Sequence, residues 1–294
     1  MEGNVKKCKY LLMIILLILV VVLYGSGESK KSEYRIKMEE GDFISVDEYI
    51  AGAMMAFVPA EYGDESMKAV AVMLRTFIIN EFETKQVMEI DIGELDVPYV
   101  FLDSIKNVLG DEVFYKTMEK YRGAVEETKG QVITYEGSLI VPLYHMVSAG
   151  STRSGKDVLE EEIPYLREKE SKRDLESPDF LKIVEMEREE YEDILKEVFQ
   201  NDIAKVEVGQ RDAAGYVMFM RNGEIQVPGE EFANALDLNS SCFFIDISEK
   251  KVKIVTKGQG HGLGLSVYGA WNMAKDGKDY IEILKYYYDG VEVE

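Results

Sequence analysis

Residues 258–270 read GQGHGLGLSVYGA, with glycines at 258, 260, 262 and 264 alternating around His261. Four glycines in seven positions cost backbone entropy, so the chain there needs positive φ angles or a close approach of backbone to something else. A phosphate loop is excluded, because no Gly-Lys-[Ser/Thr] is present, and the βαβ frame of a dinucleotide site is missing. The loop lies between an expected strand at 251–256 and a helix expected to begin near Ser266. His145, the only other histidine, stands 116 residues earlier in LIVPLYHMVS (139–148), an expected strand that runs into the small polar tract AGSTRSG. Such a tract lets backbone approach a ligand closely. The two histidines admit two readings: a binding or catalytic site, or tight bends that hold hydrogen-bonded imidazoles.

Working outward, VDEYIAGAMMAFVPA (46–60) reads as a helix that stops before Pro59, since the residue preceding proline avoids the α region. A second helix is expected over 64–82 with Asp64 as N-cap. Its buried stripe is Met67, Val70, Ala71, Leu74, Phe77 and Ile78. Residues 111–122 read as helix, 123–135 as a turn towards strand with GQVITYEG as a hairpin arm, and 156–176 as a charge-rich surface excursion. A strand at 182–187 precedes an acidic helix at 189–200. Asn222-Gly223 between GYVMFM and IQVP predicts a two-residue hairpin with a type I′ turn. Strands at 242–247 and 251–256 complete an α+β pattern without regular βαβ alternation: a single mixed α/β domain.

Among chemistry-bearing residues, Ser148, Ser151 and Ser266 lie near histidines, but none sits in a G-x-S-x-G elbow, so a serine hydrolase through Ser148 is a minor reading. No HExxH or comparable ligand pair is present, so no metal is expected, and no cofactor. Glu65 falls in the first turn of the 64–82 helix, where an acid either complements the helix dipole or faces a site.

The 294 residues carry 34 Lys+Arg against 55 Asp+Glu, a net charge of -21. So acidic a surface repels a phosphate backbone and excludes a general nucleic-acid binder. Cys8 and Cys242 are the only cysteines, which excludes a disulfide scaffold or a Cys-based zinc cluster. Residues 10–27 are uncharged, and Lys6, Lys7 and Lys9 precede them. This reads as one transmembrane anchor with residues 1–9 cytoplasmic and the remainder outside; a cleaved signal with small residues at Gly25 and Gly27, giving a secreted domain, is the alternative. Residues 28–39 read as linker and 40–294 as the exported domain. Without residues 1–27, 31 basic and 54 acidic residues remain, a charge of -23.

The C-terminal third resembles the SpoIID/LytB family. The motifs that carry the resemblance are the RDxxG strand at Arg211–Gly215, the loop at Gly258–Ala270 and the ILxxYY helix at Ile283–Tyr288. Upstream, VDEYIAG, the Pro59 turn, ESMKAVAVMLRTF and YHMVSAGSTRS extend it over roughly 40–294. The resemblance implies a sporulation cell-wall protein that cuts denuded peptidoglycan glycan strands as a lytic transglycosylase during engulfment, on the mother-cell side, alongside a wall amidase and other engulfment-complex proteins. One carboxylic acid would protonate the glycosidic oxygen while the C6 hydroxyl of the same sugar attacks. A saccharide-binding cleft is expected, with Arg75, His145, Ser148, His261, Gly262, Gly264, Ser266 and Tyr268 as its lining. Three departures bear on activity. Family members commonly carry glutamate two residues before the turn proline, where this chain has Phe57, and glutamines where it has Val70 and Val267. With that glutamate as the acid, this chain is a degenerate glycan-binding or amidase-modifying member; with Glu65 as the acid, it is active.

Overall fold

The structure is a computed structural model that describes residues 34–294 apart from Phe101 and Glu160. The expected anchor or signal at 10–27 lies outside the described residues. Among those described, no helix is long and apolar enough to cross a membrane.

The fold is mixed α+β, as expected. Strand β1 (Arg35–Lys37) pairs antiparallel with β2 (Phe43–Ser45) and parallel with β3 (Glu89–Asp91). Ile36 sits opposite Ile44 and Ile90 and is fully buried. The folded unit therefore begins inside the stretch expected as linker. Between these strands run α1 (Val46–Phe57) and α2 (Asp64–Lys85). Ser45 caps α1 through the Glu48 N–H, and Val58 leaves the helix in an extended conformation one residue before Pro59. Helix α2 starts with Gly63 in the cap position, so Asp64 is its first helical residue rather than its cap. The predicted stripe is buried from Met67 to Ile78, with Phe77 half-buried.

After α3 (Leu102–Leu109), α4 (Asp111–Glu127) runs past Gly123, where a turn was expected. Tyr121, Ala124 and Val125 are buried there, and packing overrides the glycine. Strands β4 (Ile133–Tyr135) and β5 (Ser138–Leu139) form the expected hairpin over Glu136 and Gly137, both at positive φ. The strand expected at 139–148 reduces to β5 and β6 (Tyr144–His145), with Pro142, which has no N–H to donate, between them. A helical turn α5 (Gly155–Leu159) opens the surface excursion.

The chain leaves this core at Phe180 and returns at Gly258, whose N–H donates to the Phe180 carbonyl at 2.7 Å. Between them lies an insert of β7 (Leu181–Glu187), α6 (Arg188–Phe199), β8 (Val206–Arg211), β9 (Val217–Asn222), β10 (Ile225–Pro228), α7 (Gly229–Ala235), β11 (Phe243–Ile247) and β12 (Lys251–Lys257). Its sheets run β11-β12-β7 and β10-β9-β8. Tyr191, Leu195, Phe232, Phe243, Val252 and Ile254 form a hydrophobic cluster of its own. The β9–β10 hairpin is present, but its turn is not type I′: Asn222 pairs with Ile225, and of the two loop residues only Gly223 has positive φ. Asn222 is held in the ladder because its side chain accepts from the Ala204 and Lys205 N–H groups and donates to the Asp202 carbonyl.

Past the glycine loop, β13 (Leu265–Ser266) pairs parallel with β6 and feeds α8 (Val267–Lys275), followed by α9 (Tyr280–Tyr287) and β14 (Glu292–Val293) on β4. Ser266 caps α8 through the Gly269 N–H, and Asp279 with Glu282 forms a capping box on α9.

Candidate functional site

All four glycines of the loop have positive φ, from 68° at Gly264 to 100° at Gly260. At Gly264 close approach adds to the demand: a Cβ there would lie 1.9 Å from the Leu143 carbonyl. The β6–β13 pairing sets Tyr144 beside Leu265 and His145 beside Ser266, and the His145 and His261 rings lie 6.2 Å apart.

Both imidazoles grip the backbone of one residue, Leu263. The Leu263 N–H donates to His261 Nδ1 at 3.0 Å, and the Leu263 carbonyl accepts from His145 Nδ1 at 3.0 Å. These bonds assign the proton of neutral His145 to Nδ1 and leave His261 Nδ1 bare. His145 Nε2 is buried without a partner. Burial, with His261 beside it, pushes the His145 pKa down to about 3, against the Leu263 carbonyl bond. His261 is also held below its ordinary value, by burial first; Glu230 opposes this and Arg153 adds to it. Both rings are therefore neutral near pH 7.

Arg153, from the small polar tract, reinforces the loop. Its N–H donates to the Gly262 carbonyl at 2.8 Å, and its guanidinium reaches Asp212, Glu230 and the His261 carbonyl. Ser148 and Ser266 meet at a residue that sequence reasoning passed over. The Ser148 N–H and the Ser266 hydroxyl both donate to Asp174 Oδ2 at 2.8 Å. Asp174 is fully buried, and burial raises its pKa against those hydrogen bonds. It sits in the charge-rich run ESKRDLESPD, where nothing in the local pattern marks it. Tyr268 packs edge-on against Trp271, which stacks on Tyr62.

Two of the expected site residues lie apart from the histidines. Arg75 is 2% exposed and donates to Asp47 and to the Val125, Thr128 and Gln131 carbonyls, so it closes the C-terminal end of α4. It borders a groove of ≈ 730 Å³ that also touches Tyr34, Asp47 and Lys129, with no histidine in its lining. Glu65 accepts from the Lys68 ammonium and from the Tyr280 N–H, both at 2.9 Å, and so ties α2 to the start of α9. The three departures lie in apolar surroundings. Val70 and Val267 are buried, and the half-buried Phe57 stacks on Tyr144 at 5.2 Å between ring centres. Among the described residues no group of three His, Cys, Asp or Glu is placed to hold a metal ion.

Residues 34–135 match the family model described as SpoIID, "Stage II sporulation protein". Stage II sporulation protein D of Bacillus subtilis (strain 168) is 28% identical over 268 residues, covering 88% of this chain and 77% of that protein. Its counterpart in Bacillus amyloliquefaciens is 27% identical with the same coverage. The amidase enhancer of Bacillus subtilis is 24% identical over 297 residues, 82% of this chain and 39% of that protein. The family model spans α1 and α2 with the Pro59 turn between them, and also α4, and the likeness to the two D proteins takes in most of the rest: the chain is similar to the SpoIID family of sporulation proteins along most of its length.

Proposed function

We propose that this SpoIID-like protein binds peptidoglycan glycan strands without cleaving them and works beside a wall amidase outside the membrane during engulfment. The observation that carries this reading is the stacking of Phe57 on Tyr144, the strand neighbour of His145, at the position where the resemblance sets the family's acid. An aromatic pair next to backbone-rich loops suits the apolar faces and hydroxyl rim of a sugar. It supplies no proton to a glycosidic oxygen. Lytic transglycosylase action through Glu65 has less support, because both its carboxylate oxygens accept hydrogen bonds within the fold. Asp174 is enclosed and already serves two serines. The amidase enhancer among the relatives supports an amidase as the partner class.

Incubating the protein with denuded glycan strands is expected to give co-sedimentation and no 1,6-anhydro ends by mass spectrometry. Anhydro products from the wild type would overturn the reading. Phe57→Glu restores a carboxyl beside Tyr144 and is expected to yield anhydro products at least about 10²-fold above background, the low end of what one general acid contributes.

A further inference from the structure

Arg153 belongs to the core, yet most of its partners come from the insert. Its side chain is 2% exposed, Nε contacts Asp212 Oδ2 at 2.5 Å, and Nη1 contacts Glu230 Oε1 at 2.6 Å. The guanidinium lies over the Tyr216 ring at 4.7 Å. Asp212 is itself held by the Tyr216 N–H, and Glu230 Oε1 also accepts from the Ser241 hydroxyl at 2.7 Å. The bonds of Arg153 that remain run to the glycine loop: Nη1 to the His261 carbonyl at 3.1 Å, and its own N–H to the Gly262 carbonyl at 2.8 Å. A loop of alternating glycines restrains itself poorly, so outside hydrogen bonds decide its shape.

We infer that Arg153 is a positioning residue for the histidine loop, and that the 181–257 insert sets the loop's glycan-binding shape through it. Asp212, with a side chain 1% exposed, is the fixed end of this bridge, and Glu230, at 38%, is the end open to adjustment. The inference deepens the proposed function, and only its glycan arm rests on that reading.

The chain has just two histidines, so their imidazole signals can be followed individually by NMR on the labelled full chain with any affinity tag removed. Glu230→Gln keeps an acceptor for Arg153 and Ser241 but removes the charge. The expected result is a melting curve like the wild type's, a shift of the His261 signals beyond the linewidth, and retention on denuded glycan reduced at least about fivefold, a modest loss for one half-exposed charged contact. Glu231→Gln, one residue along the same helix and exposed, is expected to leave both unchanged. Should Glu230→Gln fail to fold, Ser241→Ala, which frees Glu230 Oε1, is expected to shift the same signals by less. Unmoved His261 signals in a folded variant overturn the inference, as does unchanged retention where the wild type binds. A wild type that retains no glycan sinks the proposed function instead, and the imidazole signals still decide the role of Arg153.

Discussion

Asp174 governs two residues that stand out in the sequence for a different reason. Ser148 and Ser266 draw attention as possible nucleophiles because histidines are near, but both donate to the same buried carboxylate oxygen. Asp174→Ala leaves an N–H and a hydroxyl without an acceptor and is expected to cost about 2–4 kcal/mol in urea unfolding. Asp174→Asn keeps an acceptor for both and is expected to cost less than about 1 kcal/mol. The pH dependence has a definite sign. Burial raises the Asp174 pKa, so the native state holds a proton that the unfolded state has released, and stability falls as pH rises from the ordinary carboxylate range through the raised value. His145 works the other way: its pKa of about 3 in the fold means that stability present above about pH 6.5 is lost as pH falls towards 3, by up to about 1.4 kcal/mol per unit. Urea midpoints measured from pH 4 to 8 are expected to change slope for Asp174→Asn at the alkaline side of its window. An unaltered profile would show that Asp174 is not protonated preferentially in the fold.

At the level of elements, the sequence is most legible where one residue dictates a boundary. Pro59 ends α1, Ser266 caps α8 where a helix start is expected, and a long apolar stripe makes α2. It is least legible where partners are distant. Strand β1 is three residues long, with one buried side chain and no periodicity, and exists because Ile44 and Ile90 meet Ile36. The glycine loop announced an unusual backbone, and the His145–His261 meeting follows from a parallel strand pairing that spans the whole insert. The roles of Arg153 and Asp174 were not readable, since the partners described for them are 26 to 109 residues away. Glu65 makes the same point for an element end. In the sequence it is a first-turn acid, and in the fold it serves the last helix, α9, through the Tyr280 N–H. Glu65→Ala is expected to cost about 1 kcal/mol, the scale of a lost helix cap, and Glu65→Gln about half of that. Glycan retention is expected to stay at the wild-type level in both. A loss of retention in Glu65→Gln without loss of stability would return Glu65 to the candidate site.

The described residues of this acidic chain form two hydrophobic cores, and the question at this scale is how firmly they act together. None of the buried residues of the first core comes from 181–257, and the insert departs and returns at a single hydrogen-bonded neck. Most ion pairs join exposed side chains, where water and salt leave them about 0–1 kcal/mol each. Arg153 with Asp212 is different, since both side chains are almost wholly enclosed and the pair joins the two cores. Removing one partner of a buried pair costs about 3–5 kcal/mol where it strands the other charge; Glu230 still faces Arg153, so the low end, about 3 kcal/mol, applies here. Asp212→Ala therefore weakens the junction more than either core. Amides of β7, β11 and β12 are expected to exchange with solvent about 10²-fold faster in that variant, the factor matching such a loss, while those buried in α2 keep wild-type protection. If α2 and the insert lose protection by the same factor, the two cores unfold as one unit, and the junction is no hinge between separable parts.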